Sequence, residues 1–175
     1  PLHGPVLNEN LDFYLNLYQT WSTYEPEDKG VLIAYTSVYG NTKKAAELLA
    51  QMLVDKGCEK VAITDLARDD IAEAVEDAFR YDRLVLATTT YNGDVFPFMR
   101  EFIESLTERN YQKRTIGLIE NGSWAAAAAK VMRQLFEKSK EITFTETTVK
   151  IMSGLRSEEH TSELQSRRHL VFRLL

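Results

Sequence analysis

Small, hydroxylated and amide-bearing residues crowd into Thr36-Ser37-Val38-Tyr39-Gly40-Asn41-Thr42, directly after the apolar run Val31 to Tyr35. Where such a turn opens a helix, free backbone N–H groups converge at the positive end of the helix dipole, which suits a phosphate. Thr42 is placed to cap that helix. The Gly-Lys-Ser/Thr ending of a Walker loop is missing, and so is G-x-G-x-x-G, so hydroxyls and amides would hold the anion. Two further stretches leave apolar runs in the same way. Thr88-Thr89-Thr90-Tyr91-Asn92-Gly93-Asp94-Val95-Phe96-Pro97 offers a flat face at Tyr91 and a turn at Asn92-Gly93, whose amides can meet the edge of a heteroaromatic ring. Glu120-Asn121-Gly122-Ser123-Trp124 offers a second aromatic face. Asp94 and Glu120 bring negative charge to these loops, an arrangement expected to disfavour electron uptake by a bound ring.

The elements between these loops alternate. Leu11, Tyr14, Leu15, Tyr18 and Trp21 fall at helical spacing within an amphipathic helix from Asn10 to Ser22, and a polar connector over 24–30 breaks it. Strands are expected at Val31–Ser37, Val61–Asp65, Leu84–Thr89, Thr115–Glu120 and Thr148–Ser153. Helices are expected at Lys43–Lys56, Asp69–Phe79, Pro97–Thr107 and Ala125–Lys138. Continuous apolar strands separated by helices predict an α/β domain with a doubly wound parallel sheet of about five strands. Ligands of such sheets sit outside the carboxyl ends of the strands, where the strand order reverses. All three loops lie there.

Composition narrows the partners. Hydrophobic content of 44% and charged content of 27% are those of an ordinary globular chain. A net charge of -5 leaves no basic excess for nucleic acid, and no apolar run approaches a membrane span. Cys58, the only cysteine, excludes a disulfide framework and a thiolate cluster, so a reducing cytoplasm is the expected setting. The tail departs from the pattern. Arg156 to Glu163 has no apolar residue, and Leu170 to Leu175 crowds them without evident helical spacing. The run from Arg156 to Ser166 resembles the translation of a common DNA sequencing adapter, so 156–175 is expected to replace the true last helix.

Taken together, Ser37-Val-Tyr-Gly-Asn-Thr42, Thr90-Tyr-Asn-Gly-Asp-Val-Phe-Pro97 and Asn121-Gly-Ser-Trp124 resemble the three flavin-binding loops of a flavodoxin-like domain, specifically the one that ends a flavodiiron protein (A-type flavoprotein). The run Ala125–Ala129 departs from the more glycine-rich turn of many relatives. The resemblance implies strand order 2-1-3-4-5 and FMN as cofactor. It implies phosphate contacts from Thr36, Ser37, Val38, Tyr39, Gly40, Asn41 and Thr42, and ring contacts from Thr89, Thr90, Tyr91, Asn92, Gly93, Asn121, Gly122, Ser123 and Trp124. Pro1-Leu-His-Gly-Pro-Val6 resembles the end of the metallo-β-lactamase-like domain that precedes the flavin domain in that family. His3 would be one ligand of a diiron centre whose other ligands this chain lacks. The implied division is 1–27 for the end of the diiron domain and connecting helix, and 28–155 for the FMN domain. The implied parent passes electrons from FMN to iron and reduces dioxygen to water or nitric oxide to nitrous oxide. Its expected partners are a rubredoxin-like or flavoprotein reductase donor and a second copy arranged head-to-tail.

A stand-alone flavodoxin, an electron carrier rather than an enzyme, is the alternative. A receiver domain shares the strand order but needs acidic residues at the end of the first strand, where Thr36-Ser-Val-Tyr39 has none. A flavin quinone reductase would bind a nicotinamide cofactor, for which no motif speaks.

Overall fold

A computed structural model of the chain describes residues 3–123, 126–152, 169–171 and 173–175. Helix α1 spans Leu11–Ser22 and leads into β1 at Asp28–Tyr35. There follow α2 (Asn41–Asp55), β2 (Val61–Asp65), α3 (Ile71–Arg80), β3 (Tyr81–Tyr91), β4 (Asp94–Val95), α4 (Pro97–Glu108), β5 (Arg114–Asn121), α5 (Ala128–Leu135) and β6 (Ile142–Ile151). The sheet runs β2-β1-β3-β5-β6 with every neighbour parallel, and β4 pairs antiparallel with β3. With that two-residue strand set aside, the order is the 2-1-3-4-5 expected.

Strand side chains alternate between two cores, as the two-residue period of a strand demands. Leu32, Ala34, Leu84, Leu86, Ile116 and Leu118 face α3, α4 and α5. Val31, Ile33, Val85 and Ala87 face α2, whose Ala45, Ala46, Leu49 and Leu53 are buried in the same core, and Ile119 lies on that side of the sheet. The second core is closed by Leu170, Val171 and Leu174, in a stretch expected to crowd apolar residues without helical spacing. Residues 169–171 and 173 are helical, and Leu170, Val171 and Leu174 are buried. Leu170 and Leu174, at i and i+4, share one helical face. A Cβ on Gly117 would lie 2.9 Å from Leu170 Cδ1, so the missing side chain in β5 makes the seat for this segment. Arg173 reaches Glu146 at 2.8 Å, and Arg83 donates to the Leu175 carbonyl at 3.2 Å. The adapter-like run over 156–166 lies outside the described residues.

Other boundaries shift for identifiable reasons. The last strand begins at Ile142, not Thr148, because β6 is an edge strand whose exposed positions are Thr143, Glu146 and Lys150. Helix α5 is shorter than expected at both ends. Helix α1 forms where its spacing predicts, but it has no buried residue. Leu11, Leu15, Tyr18 and Trp21 are exposed, with Tyr18 and Trp21 edge-to-face at 5.5 Å. Two contacts tie its connector to the sheet: Arg114 Nη1 donates to the Tyr24 carbonyl at 2.7 Å, and Lys113 pairs with Glu25 at 2.6 Å.

Candidate functional site: a crevice at the carboxyl ends of the strands

The loops after β1, β3 and β5 meet around a crevice of about 500 Å³, within the range of small-molecule sites. Ser37, Val38, Tyr39, Asn41 and Thr42 form one wall. Thr89, Thr90, Tyr91 and Phe96 form a second, and Asn121, Gly122 and Ser123 a third. Among the described residues no ionisable carboxylate, amine or guanidinium lines it.

The first wall is built locally. Gly40 sits at φ 84, a left-handed conformation that a side chain would strain, and it turns the chain into α2. It occupies the N-cap position itself, so the cap expected from Thr42 is not made and no side chain caps the helix. The first amides of α2 are therefore left for a ligand. Thr42 is buried in the first turn, where its Oγ1 accepts from Asn121 Nδ2 at 3.3 Å and keeps its own proton to donate. Ser37 Oγ is buried without a hydrogen-bond partner, which costs roughly 1–3 kcal/mol. Thr36 points elsewhere: its Oγ1 lies 2.7 Å from Thr88 Oγ1 inside the protein, fastening β1 to β3 behind the crevice.

The second wall is a hairpin. Asn92 at φ 51 and Gly93 at φ 76 make the two-residue turn between the pairs Tyr91↔Asp94 and Thr90↔Val95. Positive φ at both central positions matches the right-handed twist of the flanking strands. Asn92 and Gly93 thus shape the wall without lining the crevice. Phe96 does line it, with its ring 5.5 Å from that of Tyr91. The sequence reading omitted Phe96 from the site residues, although an aromatic just before the first helical proline was a visible signal.

Neither loop carboxylate lines the crevice and each faces a basic side chain, which departs from the expectation that they charge it; Arg100, the partner of Asp94, also pairs with Glu104 at 3.2 Å. Arg100 Nη2 lies 2.6 Å from both carboxylate oxygens of Asp94, outside the crevice. That hydrogen bond holds the Asp94 carboxyl below its usual range, with partial burial opposing it. Glu120 is buried beneath the third wall and faces Lys150 Nζ at 3.2 Å. Of the other expected site residues, Trp124 lies outside the described residues. His3 is exposed, and among the described residues no three His, Cys, Asp or Glu side chains gather where a metal could be held.

A turn whose hydroxyls and helix amides suit a phosphate, beside two walls fit for a planar ring, points to the class of this domain. The chain belongs to the flavodoxin domain family, whose model matches residues 32–168. The cofactor of that family is FMN. The crevice fits it: the partnerless Ser37 hydroxyl and the uncapped start of α2 await an acceptor oxygen, and Tyr91 and Phe96 supply an apolar wall.

The chain is 25% identical over 127 residues to an anaerobic nitric oxide reductase flavorubredoxin of Escherichia coli O1:K1, across 72% of this chain and 26% of the relative. Its fold is similar to that of rubredoxin oxygen:oxidoreductase from Desulfovibrio gigas, with a TM-score of 0.81 at 17% identity, covering 94% of this chain and 40% of that one. Oxidised flavodoxin 1 from Bacillus cereus matches with a TM-score of 0.67 at 15% identity, covering 82% of this chain and 98% of that one. The chain thus spans about a quarter of the length of the first curated relatives it matches.

Proposed function

We propose that this chain is the FMN-carrying electron-transfer part of a flavodiiron oxidoreductase. The observation that carries the FMN reading is Ser37 Oγ, buried and unpartnered beside the uncapped first turn of α2. FMN, when bound, accepts and passes on electrons, and the protein supplies binding, orientation and surroundings. Ser37 and Thr42 would donate to the phosphate with the amides of Val38 to Asn41. Thr89 to Tyr91 with Phe96, and Asn121 to Ser123, would hold the ring between them. Asn92 and Gly93 keep the hairpin in shape, and Thr36 locks the strand ends behind it.

The flavodiiron part of the reading is supported by the flavorubredoxin relative and by the larger share of this chain matched in the Desulfovibrio protein than in the free flavodoxin. In this reading 1–27 ends a diiron domain, His3 is one of its ligands, and 28–155 is the flavin domain. Electrons come from a rubredoxin-like or flavoprotein reductase donor in the cytoplasm. They leave for a diiron centre, in a head-to-tail partner, that reduces dioxygen to water or nitric oxide to nitrous oxide. A free flavodoxin is the second reading, favoured by the match to almost the whole Bacillus cereus chain.

Titration with FMN and with riboflavin, followed by quenching of flavin fluorescence, tests the site. FMN is expected to bind at least about 100-fold more tightly, or about 2.7 kcal/mol, through its phosphate. Equal affinities would remove the phosphate wall from the account. The reading frame upstream of Pro1 separates the two readings: a domain rich in His, Glu and Asp supports the flavodiiron one, and a start codon near Gly30 supports the free carrier.

A further inference from the structure

The third wall is fastened from beneath by a carboxylate that the flavin reading leaves without a task. Helix α5 begins after Ala127, which has no side chain to cap it. The amides of Ala127, Ala128 and Ala129 nevertheless find acceptors, each on a side chain outside the helix. Ala127 N and Ala128 N donate to Thr90 Oγ1 at 3.0 and 3.2 Å. Ala129 N donates to Glu120 Oε2 at 3.0 Å. Glu120 is only 2% exposed. Burying a carboxylate is costly unless it is hydrogen-bonded and paired, and here a helix N-terminus and Lys150 supply both conditions. Glu120 is the last residue before the crevice-lining Asn121, and Ala129 is the second residue of the helix that follows. Their bond therefore closes a ring of backbone around Asn121, Gly122 and Ser123. Gly122 is closely seated there. Gly122 N donates to the Ile151 carbonyl at 3.0 Å, and a Cβ on Gly122 would lie 3.2 Å from Ala126 Cα and 3.3 Å from Thr90 Oγ1.

We propose that Glu120 is a positioning residue for flavin binding: its buried carboxylate oxygen, by accepting from the Ala129 amide, holds Asn121, Gly122 and Ser123 where they receive the ring. This rests on the FMN reading above. What matters in this account is the reach of an acceptor oxygen, and the charge is tolerated because Lys150 balances it. A glutamine in its place keeps an oxygen at the same distance without charge. An aspartate keeps the charge but falls one methylene short of Ala129 N.

The test is a comparison of E120Q, E120D and E120A in the full chain. It reads FMN and riboflavin dissociation constants and the visible circular dichroism of bound flavin, a signature of the ring's surroundings. Glu120→Gln is expected to bind both flavins within about threefold of the unaltered chain and to keep its dichroism. Glu120→Asp and Glu120→Ala are expected to lose about tenfold toward both flavins alike, because the ring wall and not the phosphate wall is loosened. Their dichroism should change as well. If E120A does not fold, the order of E120Q and E120D decides by itself. Asp binding better than Gln, or unaltered affinity and dichroism in both Asp and Ala variants, overturns the inference while FMN binding stands. Failure of the unaltered chain to bind any flavin overturns the cofactor reading, and this inference with it.

Discussion

The phosphate wall and the ring walls of the crevice are built on opposite plans. The phosphate wall is made by consecutive residues: Gly40 sets the turn, Ser37 brings the hydroxyl and the start of α2 brings the amides. The ring walls are made by residues that hold one another across the fold. Thr90 caps a helix that starts 38 residues later, and Arg100 grips Asp94 from α4. Local construction gives an anion site that comes with the turn. Distributed construction makes the ring site depend on how whole elements are set against one another.

Damage to the two plans should be distinguishable. The largest effect is expected from Thr90→Val, which leaves the amides of Ala127 and Ala128 without an acceptor at about 1–3 kcal/mol each when buried. Chemical denaturation should show the loss of stability, and FMN and riboflavin should weaken by the same factor. Gly40→Ala comes next. Its strain at φ 84 is about 1–2 kcal/mol, and it should cost roughly tenfold in FMN affinity while riboflavin binding changes little. A matching loss for riboflavin would show that the first wall is not independent of the others.

Smaller effects probe the hairpin and the strand end. The Asp94–Arg100 pair is partly exposed, with side chains 42% and 35% accessible, so Arg100→Ala should lower stability by no more than about 1 kcal/mol. Because Asp94 has its carboxyl held low, whatever the pair contributes is present above the ordinary carboxylate range and is lost as pH falls through the depressed value. Asp94→Asn should shift the flavin potential little, since its carboxylate lies outside the crevice against Arg100; a large rise would restore the charged-crevice expectation. Least visible at neutral pH is Tyr35, whose phenol is pushed up to about 12 by burial and by nearby Asp65. Its neutral form favours the folded state, so stability should be constant below about pH 10 and fall between about 10 and 12. Tyr35→Phe should flatten that fall in an alkaline unfolding series.

The same contrast explains what could be read from the sequence. Apolar runs gave the parallel strands, and the composition of 36–42 gave the phosphate turn, because each is encoded by neighbours in the chain. The Asn92-Gly93 turn was legible for the same reason, but the two-residue strand it creates was not. The direction of a side chain at a loop end was also hidden. Thr42 was expected to cap α2, yet Gly40 takes that place and Thr42 turns to Asn121. Asp94 and Glu120 were expected to charge the crevice, yet Arg100 and Lys150 answer them from elsewhere in the fold. The helical spacing within Leu170, Val171 and Leu174 was present in the sequence but too short to register without the sheet beneath it.

That short closing segment makes the two flanks of the sheet unequal. Among the described residues, one face lies under three helices, whereas the other has α2 over β1 and β3 and the side chains of Leu170, Val171 and Leu174 over Gly117 and its neighbours. Local openings release those parts of a protein with the fewest buried contacts. In deuterated water the amides of β5 and β6 should therefore exchange well before those of β1 and β3. The molecule would loosen from one side, with the phosphate turn at the end of β1 among the last parts to let go.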